Sequence, residues 1–143
     1  MDISRLGLKF DESKEFEIID PITNKPSGSF VTIASINSKI GKAVQLELFR
    51  QMMNLKGELQ KEENDKAKLE NREPISIEID ENELKQKFPH IFADLILNFR
   101  GLKDGKKEFK FSKENAIKLL QSSNLVYEMI DIYSSNQALF IKE

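Results

Sequence analysis

The chain has 143 residues and a mass of 16.5 kDa, with 22 Lys and Arg residues against 24 Asp and Glu residues. This length suits one domain, residues 1–143, and the slight acidic excess disfavours a nucleic-acid binder. Cysteine is absent, which excludes disulfides, thiolate metal sites and thiol nucleophiles, and fits a reducing compartment. No apolar run reaches the roughly 18 residues of a membrane span. The first residues lack the order of a secretion signal, so we expect neither export nor a membrane.

The first third of the chain predicts a β-hairpin. Residues 1–14 show a brief alternation of apolar residues, consistent with an edge strand or with a mobile arm that pairs only partly. Residues 15–19 predict a strand, and residues 30–36, rich in β-branched side chains, predict its return strand. Because the loop between them contains Pro21 and Gly28, the two strands are expected to pair antiparallel.

A helix with its N-cap at Asn37 or Ser38 follows the hairpin. Apolar residues recur on one face at steps of three and four: Ile40, Val44, Leu48, Met52, Leu55 and Leu59. Phe49 and Met53 widen that stripe. Because an isolated hairpin is only marginally stable, we expect this helix to cover its apolar face.

Residues 60–73 form a strongly charged segment, either a solvated continuation of the helix or a disordered stretch. Pro74 ends it in either case. Its cations are Lys61, Lys66, Lys68 and Arg72. Interspersed carboxylates compensate these charges, so nucleic-acid binding is not expected. Residues 75–79 alternate in polarity and predict a short strand or an extended segment.

Two helices are predicted around Pro89. Asp80, followed three residues later by a glutamate, has capping-box spacing and predicts a short helix that ends near Phe88. Pro89 lacks an N–H and favours the first turn of a new helix, expected to run to Phe99. Since Phe99 ends the apolar stripe, we expect it to be buried against residues 109–111.

The last third predicts a turn, a short strand and two helices. Gly101 suits the end of a helix, and residues 109–111 alternate as in a half-buried strand. Ser112 is a predicted N-cap for a helix over residues 113–121, and a second helix is expected over residues 124–139. The fold class predicted is α+β: an N-terminal hairpin packed on a long helix, then a mainly helical half with one short strand.

The sequence offers little catalytic chemistry. His90 is the single histidine, and Asp94, four residues on, is its one obvious partner. Several carboxylates lie close together in the sequence, but nothing in the sequence indicates the burial that would separate their pKa values. We therefore interpret them as solvated surface residues. No glycine-rich phosphate loop and no nucleophile triad is evident. We therefore expect no enzyme activity, no catalytic residue, no metal site and no cofactor.

Two stretches resemble a known family. Residues 16–26 read Phe-Glu-Ile-Ile-Asp-Pro-Ile-Thr-Asn-Lys-Pro, and a later stretch has Phe-x-Gly-Leu at 99–102, Phe-Ser at 111–112 and Glu-Asn-Ala at 114–116. This order is similar to that of the tail assembly chaperones of long-tailed bacteriophages and prophages. The chain departs from the family pattern at Phe99, where Trp is common, and at Asn24, where Gly is common.

The resemblance implies a non-catalytic chaperone in the host cytoplasm that binds the tape-measure and tail-tube proteins while a phage tail is built. A homo-oligomer is compatible with it. Candidate partner-binding residues are Phe49, Met53, Lys61, Lys66, Lys68, Arg72, Phe140 and Ile141. Two alternatives stay open: a structural virion protein of the tail or head–tail connector, and a cytoplasmic adaptor unrelated to phage.

Overall fold

The computed structural model describes residues 1–143 and contains five α-helices and five β-strands, which confirms the α+β class. The strands are β1 Ser13–Ile19, β2 Pro26–Ala34, β3 Ile96–Arg100, β4 Lys103–Asp104 and β5 Lys107–Glu108. The helices are α1 Lys39–Leu69, α2 Glu81–Lys87, α3 Pro89–Phe92, α4 Lys113–Ser122 and α5 Asn124–Ser135. Three 3₁₀ turns cover Ile3–Gly7, Ala93–Leu95 and Gln137–Phe140.

The predicted hairpin is present and forms two strands of a three-stranded antiparallel sheet in the order β1-β2-β3. Its turn is closed by Asp20, whose carboxylate accepts a hydrogen bond from the Ile22 N–H at 2.8 Å. Asn24 takes a left-handed conformation there, with φ of 56°. Asparagine tolerates this conformation better than most residues, so Asn24 suits the turn.

The helix predicted from Pro89 to Phe99 is wrong in its second half, because residues 96–100 form strand β3. The helix ends at Phe92, a 3₁₀ turn follows, and the chain then pairs with β2 as far as Arg100. A dense apolar run fits the helical and the strand period equally well, so periodicity alone could not decide. Tertiary pairing decides: β3 satisfies the hydrogen bonds of the free edge of β2, which a two-stranded hairpin would leave open.

Phe99 is buried, as predicted, with 3% of its surface exposed. Its ring stacks on Phe109 at 5.4 Å and meets Phe111 edge-on at 5.3 Å, both measured between ring centroids. The strand predicted at residues 109–111 is wrong, because the pairing lies earlier, between β4 and β5. Gly101 permits this arrangement: its φ is +78°, and a Cβ there would lie 2.6 Å from the Gly28 carbonyl oxygen.

Helix α1 begins at the predicted cap, where the Ser38 hydroxyl accepts the Gly41 N–H at 3.0 Å. Gly41 is buried against the Ser35 and Ile36 carbonyl groups, so the first turn of α1 touches the chain leaving β2. The hairpin and α1 contribute to one hydrophobic core, with Val31 and Val44 both buried in it. Helix α5 packs on β2, while α1 packs mainly on α2, α3 and the 3₁₀ turn after α3.

The charged segment is ordered helix rather than disordered chain. Helix α1 continues through it to Leu69, and Asn71, with φ of 52°, turns the backbone. Residues 72–79 then run back along α1 as an extended segment outside any sheet. The Gln60 side chain makes the hydrogen bonds that a neighbouring strand would otherwise make. Its Nε2 donates to the Ile75 carbonyl at 3.0 Å, and its Oε1 accepts the Ile77 N–H at 2.9 Å.

Helices α4 and α5 each begin directly after a serine N-cap. Ser112 accepts the Asn115 N–H at the start of α4, and Ser123 accepts the Val126 N–H at the start of α5. Helix α5 ends at Ser135, earlier than predicted, and a separate 3₁₀ turn carries the chain to Phe140. No helix in the structure is both long and apolar enough to cross a lipid bilayer.

The N-terminal arm, residues 1–10, contributes nothing to the buried core. Its 3₁₀ turn Ile3–Gly7 has no buried residue. Pairing is confined to its end, where Phe10 forms an isolated bridge with Ile141 and the Lys142 N–H donates to the Lys9 carbonyl at 2.8 Å. Of residues 1–14, for which the sequence left an edge strand and an arm open, Ser13 and Lys14 belong to β1, and residues 1–10 pair only at their end.

Candidate partner-binding surface

Helix α1 presents an apolar ridge to solvent. Leu46, Phe49 and Met53 are 58%, 56% and 52% exposed, although each is a large apolar side chain. Their spacing of three and four residues places them on one face, beside the buried face that carries Val44 and Leu48. Phe49 and Met53 were candidates from sequence. Leu46 was not a candidate from sequence, although its spacing from Phe49 and Met53 would place it on the same helix face.

A groove lies next to this ridge, between α1 on one side and α2 and α5 on the other. Its volume is about 320 Å³, and Phe49 and Met52 line the side that α1 contributes. Buried apolar side chains form its floor: Val44, Leu48, Leu84, Phe92 and Leu95. The ridge borders the groove at Phe49, which belongs to both. Exposed apolar side chains beside a partly apolar groove are the type of feature that marks interaction sites.

An ion pair from α2 to α5 lines one side of the groove. The Lys85 Nζ donates to the Asp131 Oδ1 at 2.5 Å and lies 3.9 Å from the Glu81 Oε1. The same Nζ stands 5.3 Å from the centre of the Phe92 ring. The Lys85 side chain is only 14% exposed. The pair joins the two helices, and because Lys85 is paired with Asp131, Glu81 remains as an acidic excess at the rim of the groove.

Beyond this ion pair the surface changes character. A second hollow of about 330 Å³ is lined by Gln86, Gln121 and Asn124 together with Lys85 and Tyr127. Burial, followed by the charge of Asp131, raises the pKa of the Tyr127 hydroxyl. The Lys85–Asp131 pair therefore separates an apolar groove beside α1 from a polar hollow beside α4.

Arg72 is engaged by its own chain. Its guanidinium donates twice to the Glu63 carboxylate, at 2.9 Å each, and once to Glu70 at 2.7 Å. These hydrogen bonds lower the pKa of Glu63 to about 2 and raise the pKa of Arg72. Arg72 therefore holds the turn after α1, which leaves it poorly placed to contact a partner.

The three candidate lysines of the charged segment lie far from the groove. Lys61, Lys66 and Lys68 are exposed on the distal part of α1. At 1.5 Å of rise per residue, Lys61 stands about 12 Å and Lys66 about 20 Å beyond Met53 along the helix axis. The structure does not bring these cations together with the apolar ridge.

The C-terminal candidates differ from each other. Phe140 is fully buried and meets the Phe16 ring edge-on at 6.0 Å between centroids, so it belongs to the core and its proposed role as a partner contact is wrong. Ile141 is 38% exposed and bridges Phe10. The sequence alone does not show that the 3₁₀ turn Gln137–Phe140 folds Phe140 inward.

His90 is exposed and packs its ring against Phe88, with 6.2 Å between centroids. Asp94, the partner suggested by spacing, instead pairs with Lys113. Nowhere in the structure do three or more His, Cys, Asp or Glu side chains lie close enough together to hold a metal ion. The feature that the fold assembles is the apolar ridge and groove.

Comparisons with known protein families, with curated proteins and with solved structures find no match to this chain.

Proposed function

We propose that this protein is a non-catalytic tail assembly chaperone of a phage or prophage, and that it binds the tape-measure and tail-tube proteins in the host cytoplasm while the tail is built. The order of motifs at residues 16–26 and 99–116 supports the family. The observation that carries the proposal is the solvent-exposed ridge of Leu46, Phe49 and Met53 beside an open apolar groove.

The shape and chemistry of this surface suit an amphipathic helix as its occupant. A helix lays side chains spaced by three and four residues into a groove of this kind, and apolar contacts supply most of the affinity. The tape-measure protein is a long helical chain, and its apolar faces would aggregate if they stayed uncovered before the tube forms. A small protein with an open groove would cover one such stripe and release it later.

The experiment that tests this proposal is co-expression with the tape-measure protein encoded nearby. We expect the tape-measure protein to be soluble and to copurify with this chain. Because the contacts are mainly apolar, copurification should survive moderate salt, which screens surface charges beyond about 8–10 Å. Equal solubility of the tape-measure protein without this chain would contradict the proposal.

Purified phage particles separate the proposal from its main alternative. A chaperone acts during assembly and leaves, so we expect this chain to be missing from mature particles that contain the tail-tube protein. Stoichiometric amounts of this chain in those particles would instead identify a structural virion protein of the tail or connector.

A further inference from the structure

The N-terminal arm carries an apolar surface that its own protomer does not cover. Ile3 and Leu6 are 81% and 71% exposed, and they lie three residues apart on the 3₁₀ turn. Leu8 and Phe10 continue the apolar series with smaller but still exposed fractions. An exposed run of this kind is costly in water and indicates a binding partner.

The base of the arm lies beside the groove. The Glu12 carbonyl accepts the Ser35 N–H at 2.8 Å, and the next residue, Ile36, donates its N–H to the Ser134 carbonyl at 2.9 Å. Ile36 and Ser134 both line the groove. Between Glu12 and the free part of the arm, residues 9–11 pair with residues 140–142, so the arm leaves the folded domain at Lys9, three residues before Glu12. None of its residues lines the groove, which stays open in the single chain.

The charges of the arm and of the groove are opposite. Arg5 and Lys9 outnumber the one acid of the arm, Asp2, whose carboxylate already accepts the Ser4 N–H at 2.9 Å. At the groove, Lys85 is bound to Asp131, which leaves Glu81 as the excess charge on the rim. Opposite charges at the rim favour correct docking of an apolar segment.

We propose that the arm of one copy docks in the groove of a second copy, and that the exchange is reciprocal. Because each arm starts beside its own groove, a two-fold axis near Ile36 brings each arm to the groove of the other copy. Such a contact is closed and symmetric, as in most homodimers. Ile3 and Leu6 cover the groove floor, and Arg5 faces Glu81. The proposed client would compete for the same groove, but self-association is a property of this chain alone.

The absence of cysteine makes the contact directly testable by cross-linking. Two single-cysteine variants of the full chain are needed, Leu6→Cys on the arm and Gln45→Cys on the groove wall, carrying different affinity tags. Both positions are exposed, so neither substitution threatens the fold. Ile22→Cys is the matched control, since Ile22 is 92% exposed in the β1–β2 turn.

After mixing and mild oxidation without any client, we expect a disulfide between the Leu6→Cys and Gln45→Cys chains, formed several-fold faster than between Ile22→Cys and Gln45→Cys. Faster linkage of two Leu6→Cys chains would show an arm–arm contact and overturn the proposal. A double variant that forms only an intramolecular disulfide would show that the arm occupies its own groove, which also overturns it.

Sedimentation of the protein alone gives an independent readout. Leu6→Glu should raise the dissociation constant of the dimer by about tenfold or more, equivalent to about 1.4 kcal/mol, whereas Ile22→Glu should leave it unchanged. Mixing Leu6→Glu with Phe49→Glu should restore part of the dimer, because one intact arm then meets one intact groove. A monomer at all concentrations, or a dimer insensitive to Leu6→Glu, would contradict arm exchange.

Discussion

Arg72 and Glu63 form a two-hydrogen-bond ion pair that closes the turn between α1 and the segment returning along it. The same carboxylate accepts the Ile75 N–H at 2.8 Å. We predict that Glu63→Gln weakens both contacts and increases hydrogen exchange at the Ile75 and Ile77 amides, while the core stays protected. Glu62→Gln, a neighbouring exposed carboxylate, is the control. Unchanged exchange in Glu63→Gln would show that this pair does not hold the segment.

The same pair predicts a pH dependence. Arg72 lowers the pKa of Glu63 from 4.5 to about 2, so the carboxylate is favoured in the folded state. A lowered pKa contributes stability that is present above the unfolded value and is lost as pH falls towards the folded value. We therefore expect protection of the Ile75 amide to be constant above about pH 5 and to fall between about pH 4.5 and 2. A midpoint of the Glu63 carboxyl near 4.5 by NMR titration would contradict the pairing.

The two glycines of the β3–β5 region should respond differently to alanine. Gly101 and Gly105 both have positive φ, at +78° and +64°, but only at Gly101 would a Cβ meet another atom, the Gly28 carbonyl oxygen. The left-handed conformation costs an alanine about 1–2 kcal/mol at either site. Gly101→Ala should lose about 1–3 kcal/mol more through the clash. Equal melting temperatures of the two variants would show that the close approach to Gly28 is not maintained.

Phe99→Ala should lower the free energy of unfolding by about 3–5 kcal/mol, because it removes a buried ring that contacts two other aromatic rings. Phe111→Ala is the matched control, since Phe111 touches the same cluster but is 39% exposed and should cost less. Chemical denaturation measures both. A Phe99→Ala variant as stable as the original chain would place Phe99 outside the core.

Local chemistry was predictable from the sequence. Ser38, Asp80 and Ser112 all cap helices where expected, because a cap depends on one side chain and the next three amides. Pro89 starts a new helix for an equally local reason. The hairpin was predictable because its turn residues and its β-branched strand lie close together in the chain.

Features that depend on distant partners were not predictable. Strand β3 exists because β2 has an open edge, and nothing within residues 96–100 reports that edge. Phe140 is buried because the C-terminal turn folds onto Phe16. For the site, periodicity put Phe49 and Met53 at the side of the stripe, but the groove itself is formed by α1, α2 and α5, which are separated in sequence.

The central claim is that the ridge and groove of α1 bind a client helix, and the affinity of Phe49→Glu for the tape-measure protein tests it most directly. Phe49 is more than half exposed, so the variant should keep its fold, which an unchanged far-UV circular dichroism spectrum would show. We predict that Phe49→Glu weakens binding by at least about tenfold, as loss of an apolar anchor does, while Ile22→Glu binds like the original chain. Equal affinity of Phe49→Glu and Ile22→Glu would contradict the account.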